Sequence, residues 1–593
     1  MSSETLFCNK RDVGAQVTLR LMATITTTAS KNRKQRALVM QGGGSLGAYE
    51  AGVYGVLYDW ISESLERSNR TDEDLFDIIA GTSIGAINAA IIINHVLKNK
   101  RQNPSWNQLR CWEHSAEKLK EFWTAQIASE PELWRTSYYT YYRRWNEERE
   151  YWRRIYPQVA THEAARRYYS AKAFLYGGAK NVLKPRVGQF PADDKKFFDD
   201  SSLEGINNLW FRYSNHPLKQ SVRDYVSEKL KPADPDHAIN EPRLLLCSVD
   251  VEEGETVVFD SYSDKSKYAY DKDKKEYKYT LNYKQGLRVE HILASASIPL
   301  LFDYQWIPED YDYQKYARGE EQYKDHPAHK KFRPFWDGGL LSNTPIRELI
   351  SEHKIFWEKN TKIDNAKSIF EMREEEESDE SKRKEHSNEL FEIFWKEMVA
   401  EARTAVTTRP SRRSRREALQ QPKSKLKADD IDVFIVNLWP TKETPLPLDD
   451  YDLTKDRMFD IMNYDKTEYD LKVAMFVTDY IEVVRDLVRQ LAKDAITTTA
   501  GQEDTKKREA AREILLNDSK TKSKFRDGRP RTYLDLLIGR FDVNEKLKIE
   551  RTEDNEDIIS NKWTDLSHET ISMLIQQGEQ DAKKDIKNKP TPL

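Results

Sequence analysis

Apolar residues in the first hundred positions follow two alternating rhythms. A short run, "ALVM" (37–40), ends at three glycines and gives way to "LGAYEAGVYGVLYDWISESLE". There Leu46, Tyr49, Val53, Val56, Leu57 and Trp60 recur at helical spacing and predict one buried face. The rhythm then repeats, with "FDIIA" (76–80) as a second buried strand, "GTS" as a sharp turn and "IGAINAAIIINHVL" as a more apolar helix. Strand and helix in alternation predict an α/β fold with a parallel-type sheet covered on both faces.

Residues 105–235 break this pattern with a helical, aromatic-rich insertion. Its densest part carries Trp134, Tyr138, Tyr139, Tyr141, Tyr142, Trp145 and Trp152. It reads as a helical insert packing its aromatics inward, with a lid or membrane-facing element as the alternative. Strand signals return at "PRLLLCSVDVEEGETVVFDSY" (242–262), "VEHILASASIPLLF" (289–302) and "FWDGGLLSNTPI" (335–346). The expected boundaries are a disordered N-terminal tail at 1–34, a first unit at 35–356 and a charged insertion at 357–430. A returning core strand at 431–445 and a helical region at 446–593 complete the chain. The insertion, acidic at "EMREEEESDESK" and basic at "RPSRRSRREALQQPKSKLK", reads as a solvated, partly disordered excursion. In the C-terminal region Val473, Phe476, Val477, Tyr480, Val484, Leu487 and Leu491 form an apolar stripe. It is expected to pack against the sheet rather than on lipid, because acids are as common as bases on the polar side.

Length and charge change the picture little. A chain of 593 residues suggests two to four domains, and 95 basic against 99 acidic residues leave a net charge of -4. No global field draws it to nucleic acid, and no nucleic-acid partner is expected. Three isolated cysteines, Cys8, Cys111 and Cys247, offer neither a disulfide framework nor zinc-site spacing and point to a reducing, cytoplasmic setting. The N-terminal "VTLRLMATITTTAS" is interrupted by Arg20 and reads as a tail rather than a signal peptide. No segment reaches the ~18 to 20 apolar residues of a membrane span, although peripheral contact with a membrane surface stays compatible. The sequence leaves the oligomeric state unknown.

The candidate chemistry lies in the turns. "GTSIG", Gly81 to Gly85, matches G-x-S-x-G between a buried strand and an apolar helix, the setting in which that match carries weight. Ser83 would project above the sheet, Gly81 and Gly85 would leave room for the bend, and the helix N-terminus would favour negative charge nearby. The earlier loop has two readings. Gly42, Gly44 and Gly47 spell the G-x-G-x-x-G of a dinucleotide site, which requires an acidic residue about 20 positions on at a strand end. That region is "ISESLERSN", a helix end with Glu63 and Glu66. The run Gly42-Gly43-Gly44 suits an oxyanion hole better, because bare N–H groups follow one another without side chains. For a base, the eleven histidines offer little: after Asp337 only His353, His386 and His568 remain, each read as a surface residue. Asp337 in "FWDGG" follows an aromatic strand, and Gly338 and Gly339 permit a sharp turn, although D-G-G alone reads equally as a simple turn. Asp72, Asp74 and Asp77 read as solvated loop charge, with no metal-binding spacing.

"QGGGSLGAYEAGV", "GTSIGAINA", "ASASIPLLF" and "DGGLLSNTPI" occur in the order and contexts of the patatin-like phospholipases, which the chain resembles over residues 37–346 plus the strand at 431–440. The resemblance implies a three-layer core with a mostly parallel central sheet. It also implies a Ser–Asp pair without histidine, Ser83 as nucleophile and Asp337 as base, with the N–H groups of Gly43 and Gly44 in the Gly42–Gly47 loop as oxyanion donors. The substrate implied is a lipid ester, with no cofactor. The C-terminal third is similar to the extension of some long bacterial-type members. One departure is Leu46, where many members carry Arg or Lys, which puts phosphate-headgroup preference in doubt. The rival expectations are a non-catalytic lipid-binding or interaction protein on the same scaffold and, third, a nicotinamide-dependent dehydrogenase.

Overall fold

Strand β1 (Gln35–Met40) is buried on both faces, and its side chains divide by parity: Leu38 and Met40 enter one apolar cluster, Ala37 and Val39 another. That is the period-two signature of a central strand with helices on either side. The structure is a computed structural model that describes residues 34–130, 162–185, 213–226, 230–231, 241–263, 265–271, 276–282, 286–299, 301–309, 332–363, 367–376, 380–407, 426–440, 451–464, 467–496, 505–522, 530–552, 559, 561–587, 589 and 592. The expected N-terminal tail and the seven aromatics from Trp134 to Trp152 lie outside the described residues.

The other strands of the main sheet are β2 (Ile78–Thr82), β3 (Arg243–Asp250), β4 (Glu255–Asp260), β5 (Gln305–Pro308), β6 (Phe332–Asp337), β7 (Ile431–Asn437) and β8 (Val543–Glu550). They form one eight-stranded sheet in the order β8-β7-β1-β2-β3-β6-β5, with β4 also paired to β3. The run from β8 to β3 is parallel throughout, and β4, β5 and β6 join antiparallel. The main helices are α1 (Gly47–Arg67), α2 (Ile84–Gln102), α3 (Val289–Ser295), α4 (Ile346–Asn360), α5 (Glu380–Thr407), α6 (Tyr451–Asn463), α7 (Thr467–Ile496) and α8 (His568–Ile586). Helices α1, α2, α3 and α8 cover one face, while α4 covers the other through Ile346 and Leu349. This is the expected α/β arrangement: a mostly parallel central sheet between helical layers.

The register along β3 positions the site. Strand β4 occupies one edge of β3 from Leu245 to Asp250, so β2 and β6 must share the other. Thr82 at the end of β2 aligns with Cys247, and Asp337 at the end of β6 aligns with Ser248, the next residue. Two strand exits running in opposite directions therefore meet end to end.

Several regions differ from expectation. The C-terminal region is largely helical but also supplies β8, and α8 packs closely on α1. A Cβ at Gly52 would collide with the Ile575 carbonyl, and one at Gly578 with that of Tyr49. The charged insertion holds α5, whose Leu390, Phe391, Phe394, Trp395 and Met398 form a second apolar core with Val488 and Ala492 of α7. A helical stripe is hidden there beneath a high charge density. The stripe expected to pack on the sheet does not: Phe476, Tyr480 and Leu487 are 59%, 59% and 62% exposed, and α7 instead buries Leu471, Arg485, Val488, Ala492 and Ala495. The inward residues divide between the α5 core, through Val488, Ala492 and Ala495, and the sheet-side core, through Leu471. His353 and His386 are buried rather than on the surface, and only His568 is exposed. His353 bonds the Asp429 carbonyl at 2.8 Å, and burial pushes its pKa down to about 4. Of the three loop acids, Asp72 is exposed and Asp77 half-buried, but Asp74 is buried against Lys100 at 2.7 Å and accepts from Trp112 Nε1 at 2.8 Å.

If α8 is part of the core, Leu574→Ala, at a fully buried position, lowers unfolding free energy by about 2–5 kcal/mol. Exposed Ile514→Ala changes it by about 0.5 kcal/mol or less. Urea unfolding of the full chain checks both, and equal effects would contradict this packing.

Candidate active site

Ser83 sits at φ 55°, ψ -122°, between β2 and α2. A side chain in that left-handed region is strained, and such strain persists only where the surroundings enforce it. Here β2 ends at Thr82, α2 begins at Ile84, and the Ser83 N–H donates to Ser295 Oγ at 3.0 Å. Ser295 in turn donates to the Cys247 carbonyl. The turn therefore aims Ser83 Oγ at the carboxylate arriving on β6.

The two groups meet: Ser83 Oγ donates to Asp337 Oδ2 at 2.6 Å, and Asp337 Oδ1 accepts from the Gly339 N–H at 2.7 Å. Both side chains are buried. Burial pushes the Asp337 carboxyl up to about 7, opposed by its bonds from Ser83 and Gly339. The cause is desolvation, which penalises the carboxylate more than two hydrogen bonds restore. Gly338 lies against the Cys247 carbonyl and Thr82, where any side chain would block the join between the strand ends. The described residues bring no histidine into this pair. His291, buried behind it on α3, is held down to about 4 by burial.

The glycine loop folds over Ser83. Gly42 lies so close that a Cβ there would run into Asn343 Oδ1 and come within 2.9 Å of the Ser83 Cβ. Gly44 has φ 58° and would meet the Trp563 carbonyl at 2.5 Å. The Gly42 N–H is already used, donating to the Asn343 carbonyl at 3.2 Å. That removes Gly42 from the expected donor set and leaves the Gly43 and Gly44 N–H groups, which have no protein acceptor among the described residues. Gly47 opens α1 against Ile84, and Gly81 and Gly85 pack backbone to backbone beneath the elbow. Leu46 is fully buried in the main core, so the position that often carries a cation here faces inward.

Residues that the motifs did not single out hold this loop. Asn343 Nδ2 and Trp439 Nε1 both donate to the Gly42 carbonyl, at 3.1 and 2.7 Å. Gln41 Nε2 donates to Thr344 Oγ1 at 2.8 Å, and its Oε1 accepts from the Leu438 N–H at 2.6 Å. Asn343 lies within the quoted "DGGLLSNTPI" block, so its neighbourhood carried a signal; Trp439 had none beyond ending a buried strand. The C-terminal segment closes the other side. Ser45 Oγ donates to the Lys562 carbonyl at 3.1 Å, while the buried Lys562 ammonium lies 3.1 Å from Asp456 and 2.9 Å from Asp460 of α6.

A cavity of about 80 Å³ opens at Ser83. Ile87, Trp123, Phe174, Leu218, Phe302 and Leu566 are among its walls, and no charged side chain lines it. Trp563 and Leu566 come from the C-terminal region. Among the described residues, no group of three or more His, Cys, Asp or Glu side chains converges in a metal-binding arrangement, and no helix is long and apolar enough to cross a membrane.

Comparison with known proteins agrees with the motifs. No curated protein matches the chain. The crystal structure of VipD from Legionella pneumophila aligns over 92% of this chain and 67% of that one, at 10% identity and a TM-score of 0.22, too weak a likeness to carry an argument. The model of the family described as patatin-like phospholipase matches residues 38–350, more than half the chain and the whole span from the glycine loop through Asp337. The chain belongs to the patatin-like phospholipase family.

Proposed function

We propose that the protein hydrolyses lipid acyl esters with Ser83 as nucleophile, Asp337 as its base, and the Gly43 and Gly44 N–H groups as oxyanion donors. The family is one of lipid acyl hydrolases, and the reading at residue level rests on one observation above others. This is the 2.6 Å bond from Ser83 Oγ to a carboxylate whose affinity for protons burial has raised.

An ordinary aspartate, with a pKa near ~3.9, is a weak base toward a hydroxyl. With its pKa near 7, Asp337 is still largely ionised just above neutrality and binds a proton far better than an exposed carboxylate. Ser83 Oγ attacks the ester carbonyl carbon as its proton moves to Asp337 Oδ2. The carbonyl oxygen becomes an oxyanion facing Gly43 and Gly44, where each backbone donor of this kind is worth about 10²–10³ in rate. Collapse expels the alcohol, which takes the proton from Asp337. Water then attacks the acyl-Ser83 ester by the same route, and the free acid leaves. The apolar cavity suits the hydrocarbon part of an acyl group, and its uncharged walls offer nothing to a phosphate.

Ser83→Ala is expected to lower turnover of a fatty acyl p-nitrophenyl ester by at least about a thousandfold without loss of the folded far-UV spectrum. Full activity would remove the assignment. In the wild type, kcat/KM is expected to rise with pH through about 7, because only ionised Asp337 accepts the Ser83 proton; a profile flat from about pH 5 to 9 would contradict it.

Stability should run the opposite way. Folding raises the Asp337 pKa from 3.8 to about 7, so its contribution is fully favourable below the unfolded value and is lost as pH rises through about 7. Asp337→Asn has no charge to bury. Its stability relative to wild type should therefore climb between about pH 5 and pH 8, by a few kcal/mol, while turnover collapses. A constant difference in urea unfolding across that range would refute the raised pKa.

A further inference from the structure

The outward face of α7 leaves a long row of apolar side chains open to solvent. Tyr469, Val473, Phe476, Tyr480, Val483 and Leu487 are 64%, 41%, 59%, 59%, 59% and 62% exposed. The helix is anchored by its opposite face, so this stripe is not left over from loose docking. Exposed apolar surface on this scale marks an interaction site. The spacing identifies the partner's shape. The intervals run four, three, four, three, four, which is the heptad seam of helices that wrap around each other. The whole helix carries six carboxylates and four bases, unlike the cationic helices that lie on membranes.

We infer that α7 pairs antiparallel with α7 of a second copy of this chain, about a two-fold axis that crosses the helix near Thr478. In that register Tyr469 lies against Leu487 of the second copy, Val473 against its Val483 and Phe476 against its Tyr480, with each pair repeated by symmetry. All six seam residues find an apolar partner, over a contact about 28 Å long. The flanking charges agree with the same alignment. Lys472 and Asp486, both well exposed, come side by side across the axis twice. Asp479 faces its own copy, the one like-charge contact. Self-complementarity of this kind is the hallmark of a two-fold interface.

Sedimentation velocity of the full chain over an about hundredfold dilution tests the inference. The wild type is expected to pass from dimer to monomer, and Phe476→Glu combined with Tyr480→Lys should remain monomeric with an unchanged far-UV spectrum. The charge reversals read the register. Lys472→Asp and Asp486→Lys should each raise the dimer dissociation constant about fivefold, and together they should return it to within about twofold of wild type. A wild type that is monomeric throughout overturns the inference, and so do reversals that simply add. Binding of monomer to phosphatidylcholine vesicles that is lost in the Phe476/Tyr480 variant would assign the stripe to a lipid surface instead, and would equally overturn it.

Discussion

The hydrogen bond between Ser83 and Asp337 sets the terms for the rest of the structure. It joins residues 254 positions apart, both of them buried. Neither group reaches the other by flexibility. Strand β3 offers one edge to both β2 and β6, and their ends abut at Cys247 and Ser248. A one-residue slip in either register would turn a side chain to the opposite face of the sheet and break the pairing. The strain at Ser83 and the raised proton affinity of Asp337 are costs of that placement, and the packed core around them bears these costs. A site of this kind trades stability for reactivity.

The family match ends at residue 350, yet the site does not. Trp439 and Asn343 clamp the Gly42 carbonyl from just beyond β7 and from the turn before α4. Trp563 presses on Gly44, and Lys562 ties the glycine loop to α6 through two buried carboxylates. A buried ammonium with two carboxylates is expensive to assemble and damaging to break, which suits a role in fixing one geometry. The C-terminal region is therefore continuous with the chemistry of the first half, through β8 in the sheet and α8 against α1.

Legibility in the sequence followed the range of the physics. Gly42 to Gly47, the turn around Ser83 and the Asp337-Gly338-Gly339 corner were readable because each is a local backbone problem solved by contiguous residues. The alternation of strands and helices up to β3 was readable for the same reason. What failed was the direction of burial. Helix α7 has apolar residues on two sides, and the larger set faces outward while Val488, Ala492 and Ala495 are buried in the second core with α5. Helix α5 was hidden because its apolar positions are diluted by charge, and β8, "VNEKLKIE", because its buried Val543, Leu547 and Ile549 are interspersed with Lys and Glu. The Gly42 N–H seemed available until the long-range bond to Asn343 was seen, and no local pattern encodes such a bond.

The most direct test of the account is the pH dependence of covalent capture at the serine. The full chain is treated with a fluorophosphonate over a range of pH, the inactivation rate is recorded, and the adduct is located by peptide mass spectrometry. The account predicts a single adduct on Ser83, formed at a rate that climbs with a midpoint near 7 and then levels, following ionisation of the buried Asp337. An adduct on another residue, no adduct at all, or a Ser83 rate indifferent to pH would contradict it.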